Sequence, residues 1–304
     1  VLTRFARLTH KPRQAAMRRE NAGYPNVRTT LRARKKMRIK NNFILIFLVN
    51  TLLIYSCRST IHNDELTKYK KQETKYLVVY SEYPIKQTVL NSFDSIYDNL
   101  SDYLQNDLQM DIKKEKVTVA ILPITNSVCN FKKQGTSTFC YPKNDIMYLL
   151  DAEHLPKEII EKYGQPPENF LQNAFTHELT HILTIPKFHF NKSLQMKERL
   201  ANYCSFFDFT KRPTVKLFDR EEQKKQIQDC YSSKRINDLK VGSIDKLKAK
   251  NSYEIPFFML YLYETDKNQE LITLIRSKSM NDFINKSKWT TEDTYKFIQW
   301  IEKM

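Results

Sequence analysis

Apolar positions along the chain follow two rhythms. Three short runs, "KYLVVY" (75–80), "KVTVAIL" (116–122) and "DIMYLLD" (145–151), are rich in β-branched and aromatic residues and predict buried strands. Between the first two, Val89, Phe93, Ile96, Tyr97, Leu100 and Leu104 recur at three- and four-residue steps after Pro84, which predicts a helix. The stretch from Cys129 to Cys140, with Gly135 and a Thr-Ser-Thr run, reads as a loop or hairpin. After Pro156 helical spacing takes over. "PPENFLQNAFTHELTHIL" (166–183) predicts a helix that ends before Pro186, and "SLQMKERLANYCSFFDF" (193–209) a second one with Ser193 as N-cap. Further helices are expected over 219–231, 243–250, 253–265, 269–278, 280–286 and 291–303, the last two capped by Ser279 and Thr290. Strands followed by a long helical part make an α+β chain with a small mixed sheet and a mainly helical C-terminal lobe.

Charge adds a division at the other end. The chain carries a formal charge of +16, yet residues 1–56 hold 13 Lys and Arg against Glu20 alone, leaving 37 basic and 33 acidic residues for the rest. A body with a net charge near +4 has no electrostatic footprint for a phosphate backbone, so no nucleic-acid partner is expected. The basic segment leads into a run of 13 mostly apolar residues, 43–55, preceded by Arg38 and Lys40. A membrane span needs roughly 20 residues, whereas this length suits a signal-peptide core. Its end, "LIYSC", places Ile54 and Ser56 before Cys57 and resembles the lipobox of bacterial lipoproteins. That resemblance implies export, lipidation of Cys57 and attachment to the cell envelope. The expected divisions are an upstream basic segment (1–36) outside the folded protein, a lipoprotein signal peptide (37–56), a polar tether (57–74) and one domain (75–304).

The 248 residues from Cys57 onward suffice for one domain with a sizeable core, expected to be a monomer. Its remaining cysteines are Cys129, Cys140, Cys204 and Cys230. An exported location permits disulfides, and proximity favours Cys129–Cys140 with Cys204–Cys230 among the three connectivities. No CxxC pair exists, so a cysteine-based zinc site is not expected. Only Gly135, Gly164 and Gly242 lie beyond the leader, which excludes a glycine-rich phosphate loop.

The chemistry concentrates in "THELTH". On a helix His177 and His181 project from one face one turn apart, a spacing that lets both imidazoles reach one Zn2+. Glu178 follows the first histidine, offset by about 100°. It would stand beside the metal and not on it, where a base must be to take a proton from water. Phe170, Ala174, Phe175, Leu179, Ile182 and Leu183 surround these groups, so the helix is expected to be buried on most sides. Two histidines and a glutamate placed there are costly without a metal or good partners.

Downstream, Glu198, Leu200, Ala201 and Tyr203 resemble the "E-G-L-A-x-Y" pattern of the gluzincin (HExxH…E, peptidase MA-like) metallopeptidases, with Arg199 where glycine is usual. The resemblance covers residues 145–265, and its specific part is 174–203. It implies a zincin-like fold in which the edge strand of a small mixed sheet, assigned to residues 145–150, lies over the HExxH helix. It further implies Glu198 as third zinc ligand, a peptide or protein substrate, and Tyr253 as donor to the oxyanion of the intermediate. Asn202 stands where some members carry an aspartate that orients the first histidine. Here its amide oxygen would accept the ring N–H. His189, in the turn between the two helices, is the rival third ligand. The functional expectation is a membrane-anchored exported zinc metallopeptidase. The alternative is a non-catalytic surface lipoprotein that keeps the scaffold for binding, against which the intact Glu178 speaks.

Overall fold

A computed structural model describes residues 66–112, 114–124, 138–141, 145–163, 169–184, 196–211, 216–217, 220–241, 244–247 and 253–304. The strands are β1 (Lys70–Glu73), β2 (Leu77–Ser81), β3 (Val117–Leu122), β4 (Thr138–Tyr141) and β5 (Ile146–Leu150). They form one mixed sheet in the order β1-β2-β3-β5-β4. The three inner strands are parallel, with Leu77 opposite Val117 and Val119 opposite Met147, while β1 and β4 run antiparallel to their neighbours.

Alternate side chains leave opposite faces of a strand, and both faces here are covered. Leu77, Val79, Val117, Val119, Ile121, Met147 and Leu149 enter the main core. Ala120, Leu122, Ile146, Tyr148 and Leu150 meet Leu66, Leu155 and Phe170 on the other side. Continuous apolar runs in the sequence therefore mark strands buried on two faces.

Two expectations about the sheet are corrected. The polar segment 57–74 is not a tether throughout, because Leu66 is buried and β1 pairs with β2. β1 reads "KKQE" since an outer strand with mostly exposed side chains has no apolar alternation to show. Residues 145–150 are also not the edge. β5 lies between β3 and β4, and among the described residues the edge beside it is β4, which starts within the stretch expected as loop or hairpin.

α1 (Gln87–Asp102) buries Leu90, Phe93, Ile96, Tyr97 and Leu100 and runs into a π turn, Tyr103–Asp107. It packs on α3 (Phe170–Thr184), with Phe93 stacked on Phe175 at 4.2 Å. A short α2 (Lys157–Tyr163) precedes α3, and α4 (Met196–Cys204) follows it. A two-stranded ribbon, β6 (Phe207–Asp208) with β7 (Lys216–Leu217), leads to the helical part. That part comprises α5 (Arg220–Cys230), α6 (Ser233–Val241), a 3-10 turn (Ile244–Lys246), α7 (Glu254–Glu264), α8 (Asn268–Arg276), α9 (Met280–Ser287) and α10 (Thr291–Lys303).

Ser279 caps α9 by accepting the Asp282 N–H, and Thr290 forms a capping box with Asp293 at α10. Periodicity does not predict α6, whose sequence is mostly polar; it forms where it packs against α10. Of the helix expected over 243–250, the described residues retain only the 3-10 turn. The architecture is α+β, a small mixed sheet followed by a mainly helical C-terminal part. No helix among the described residues is long and apolar enough to cross a membrane. The leader, Cys57, Cys129, His189 and Ser193 lie outside the described residues, and with Cys129 the expected pairing to Cys140.

Candidate metal centre on two helices

The core holds α3 from two directions. Its apolar residues Phe175, Leu179, Ile182 and Leu183 are buried in the main core, and the helix lies against β4, β5 and α1. A second stripe is hydroxylic. Thr176, Thr180 and Thr184 donate to the carbonyls of Gln172, Thr176 and Thr180, each four residues back. These bonds satisfy buried hydroxyls without partners from elsewhere, so the stripe stays slim. α4 packs against α3, bringing its small Ala201 and Cys204 into the interior, with Thr180 hydrogen-bonded to the Cys204 thiol. Close approach of the two helices is what carries a side chain of α4 to the histidines.

That side chain is Glu198. Its Oε1 lies 3.5 Å from His181 Nε2 and its Oε2 3.8 Å from His177 Nε2. The two imidazoles meet edge to face, their centroids 5.0 Å apart. One donor atom from each of the three residues falls within 4.8 Å of the others. Both Glu198 separations exceed a good hydrogen bond. They are close to the spacing of about 3.4 Å that two donors adopt on one tetrahedral zinc with bonds of about 2.1 Å. The donor set, two imidazoles and a carboxylate, fits a zinc ion with a coordination position left open.

Electrostatics agree with that chemistry. Glu198 is 58% exposed at its side chain, and its carboxyl is held at about 2. The polar contact from the nearby His181 imidazole is the chief cause, opposed by burial and aided by the charges of His181, His177 and Arg199. His177 keeps 21% of its side-chain surface, yet burial among apolar neighbours lowers its pKa, with Glu178 opposing and His181 adding to the shift. Near neutral pH the carboxylate is therefore ionised and the His177 imidazole neutral, the two forms that bind a metal. Glu178 is buried at 4% exposure, next to His177 and outside the trio of donors.

Tyr253 is the N-cap residue of α7, stacked with Phe257 at 6.0 Å; burial and then Cys230 raise its hydroxyl pKa. Asn202 lies on α4, and among the described residues no hydrogen bond joins its amide to either histidine; its backbone carbonyl accepts from Ser205. The expected Cys204–Cys230 bridge is absent, and both residues are thiols. Cys204 turns toward Thr180 inside the α3–α4 interface, where burial pushes it up to about 12, whereas Cys230 ends α5 near Tyr253 and Arg199. Proximity in sequence failed as a guide because the two helices present these side chains to different neighbours.

Sequence reasoning passed over two features. The Tyr203 hydroxyl pairs with Tyr103 at 2.6 Å, joining α4 to the π turn after α1. Arg199 is fully buried. The spacing of Thr176, Thr180 and Thr184 was readable beforehand, but nothing local reveals the Tyr103 pairing, which spans 100 positions. No protein-family model and no curated protein matches this chain.

Proposed function

We propose that this protein is a zinc-dependent peptide hydrolase of the gluzincin type with a zincin-like fold, exported and anchored to a membrane through a lipid on Cys57. The observation that carries the reading is the convergence of His177 and His181 from α3 with Glu198 from α4, beside the buried Glu178. These three side chains would hold the metal. When bound, zinc acts as a Lewis acid that acidifies a water and polarises a carbonyl.

Glu178 takes a proton on its carboxylate and later gives it to the departing amine, which spares the chain a separate acid. β4 would serve as the platform for substrate: among the described residues it is paired on one side only, with β5, and α3 packs against both strands. An extended peptide adding to such an edge gains main-chain hydrogen bonds and is presented across α3.

The test is metal analysis of the purified full chain combined with a broad peptide-library digest, comparing wild type with Glu178→Gln. One zinc per chain and cleavage lost in the variant are expected. A wild type that binds no zinc and cuts nothing overturns the proposal, and zinc without cleavage moves the reading to a binding scaffold. Anchoring is tested separately by labelling with a lipid precursor, which Cys57→Ala should abolish.

A further inference from the structure

We infer that the hydroxyl pair of Tyr103 and Tyr203 positions Glu198, fixing the rotation of α4 about its own axis from the side turned away from the histidines. The inference rests on the reading of Glu198 as a zinc ligand. Tyr103 is 5% exposed and Tyr203 fully buried, and their hydroxyl oxygens lie 2.6 Å apart.

Aromatic rings stand around the pair. Tyr203 meets Phe207 edge to face at 5.1 Å, and Tyr103 lies 5.6 Å from Phe209 and 6.3 Å from both Phe207 and Tyr263. In such surroundings one phenol deprived of the other is left buried and unsatisfied, which is costly. Tyr103 opens the π turn that ends α1, and one turn earlier Asn99 donates at 2.7 Å to the Phe209 carbonyl. α1 itself packs on α3. It therefore grips α4 and the chain behind it while lying against the helix that carries both histidines.

Glu198 precedes Tyr203 by five positions, which sets the two side chains about 140° apart around the helix. The first is 58% exposed beside the imidazoles, and the second enters the main core. Turning α4 by about 10° moves an atom roughly 6 Å from its axis by about 1 Å. A metal–ligand distance tolerates only about 0.2 Å. Apolar packing is non-directional and resists such a turn weakly, whereas a hydrogen bond fails outside a narrow range of distance and angle. The Cys204 thiol on α4 also meets Thr180, but a thiol is a weak hydrogen-bonding group.

The test compares Tyr103→Phe, Tyr203→Phe and the double variant in the full chain. It measures Zn2+ affinity by competition with a chromophoric chelator, the visible spectrum of the Co2+ form, and thermal stability without metal. Each single variant should bind Zn2+ about 2- to 30-fold more weakly and show an altered Co2+ spectrum. The double variant leaves no orphaned hydroxyl, so its stability should return toward wild type while its Zn2+ affinity stays reduced. A folded double variant with wild-type Zn2+ affinity and Co2+ spectrum overturns the inference, because the pair then serves stability alone. Should the double variant not fold, the single variants decide by the same criterion. A His177→Ala variant that binds Zn2+ as tightly as wild type overturns the metal-site reading itself, a result distinct from the others.

Discussion

The two helices that meet at the histidines are held by chemically different surroundings. α3 rests on an aliphatic sheet whose inner face is Leu77, Val79, Val117, Val119, Ile121, Met147 and Leu149. α4 leans on a lobe with an aromatic interior, where Phe258 meets Phe283, Trp289 and Phe297 edge to face at 5.0–5.7 Å. The sheet is held by ladder hydrogen bonds over short strands and presents its helix as a rigid unit carrying both histidines and Glu178. The lobe interlocks by ring geometry and the buried Arg235–Glu254 pair, and α4, packed on it, carries the single further donor. Two-thirds of the proposed ligand set and the base thus depend on one layer, and the last ligand depends on how another layer docks.

The largest expected effect strikes the sheet-borne side alone. Glu178→Gln should lower peptide turnover by about 10²–10⁴-fold while zinc content and melting temperature stay as in wild type. Loss of zinc in that variant would mean that Glu178 holds the metal as well, which breaks the division between ligands and base.

Core truncations probe the two layers against each other. Phe258→Ala should cost about 3–5 kcal/mol and Leu149→Ala about 2–5 kcal/mol in denaturant unfolding, both side chains being fully buried. An unchanged transition for Phe258→Ala would break the idea that interlocked rings hold the lobe.

The link between layers is tested more gently. Tyr203→Phe removes one hydroxyl of the buried Tyr103 pair and should cost about 1–3 kcal/mol, because the phenol left behind is buried. A neutral result would place α4 under the control of the lobe alone.

Alkaline titration reaches both layers and does nothing near neutrality. Burial pushes Tyr97, under the sheet, from 10.0 to about 12, and Cys204, between α3 and α4, from 9.0 to about 12. Between the unfolded and folded values the unfolded chain has lost a proton that the native state keeps. Stability is therefore fully present below pH 9 and falls as pH rises from there toward 12. Melting temperatures at pH 8 and pH 11 check this. A flat profile would mean that neither group is buried as described. Cys204 should likewise resist alkylation at pH 8 until the protein unfolds.

Local chemistry determined much of this molecule before any contact was known. The inner strands were legible because residues buried on both faces must be apolar without interruption. The caps at Ser279 and Thr290 were legible because a helix start needs an oxygen acceptor at one defined position. The pairing of His177 with His181 follows from the pitch of a helix. The short outer strand β1 hid in a polar sequence because its side chains face water, and α6 hid because it is stabilised by α10 and not by its own pattern.

What tertiary structure alone decided is which groups meet across distance. Among the described residues β4 and not β5 is the edge, Cys204 faces Thr180 and not Cys230, and Glu198 stands 3.5 and 3.8 Å from the two imidazoles. Each depends on how one element is rotated against another. No local propensity encodes that rotation: it emerges from how α3 and α4 pack on each other, on the sheet and on α7.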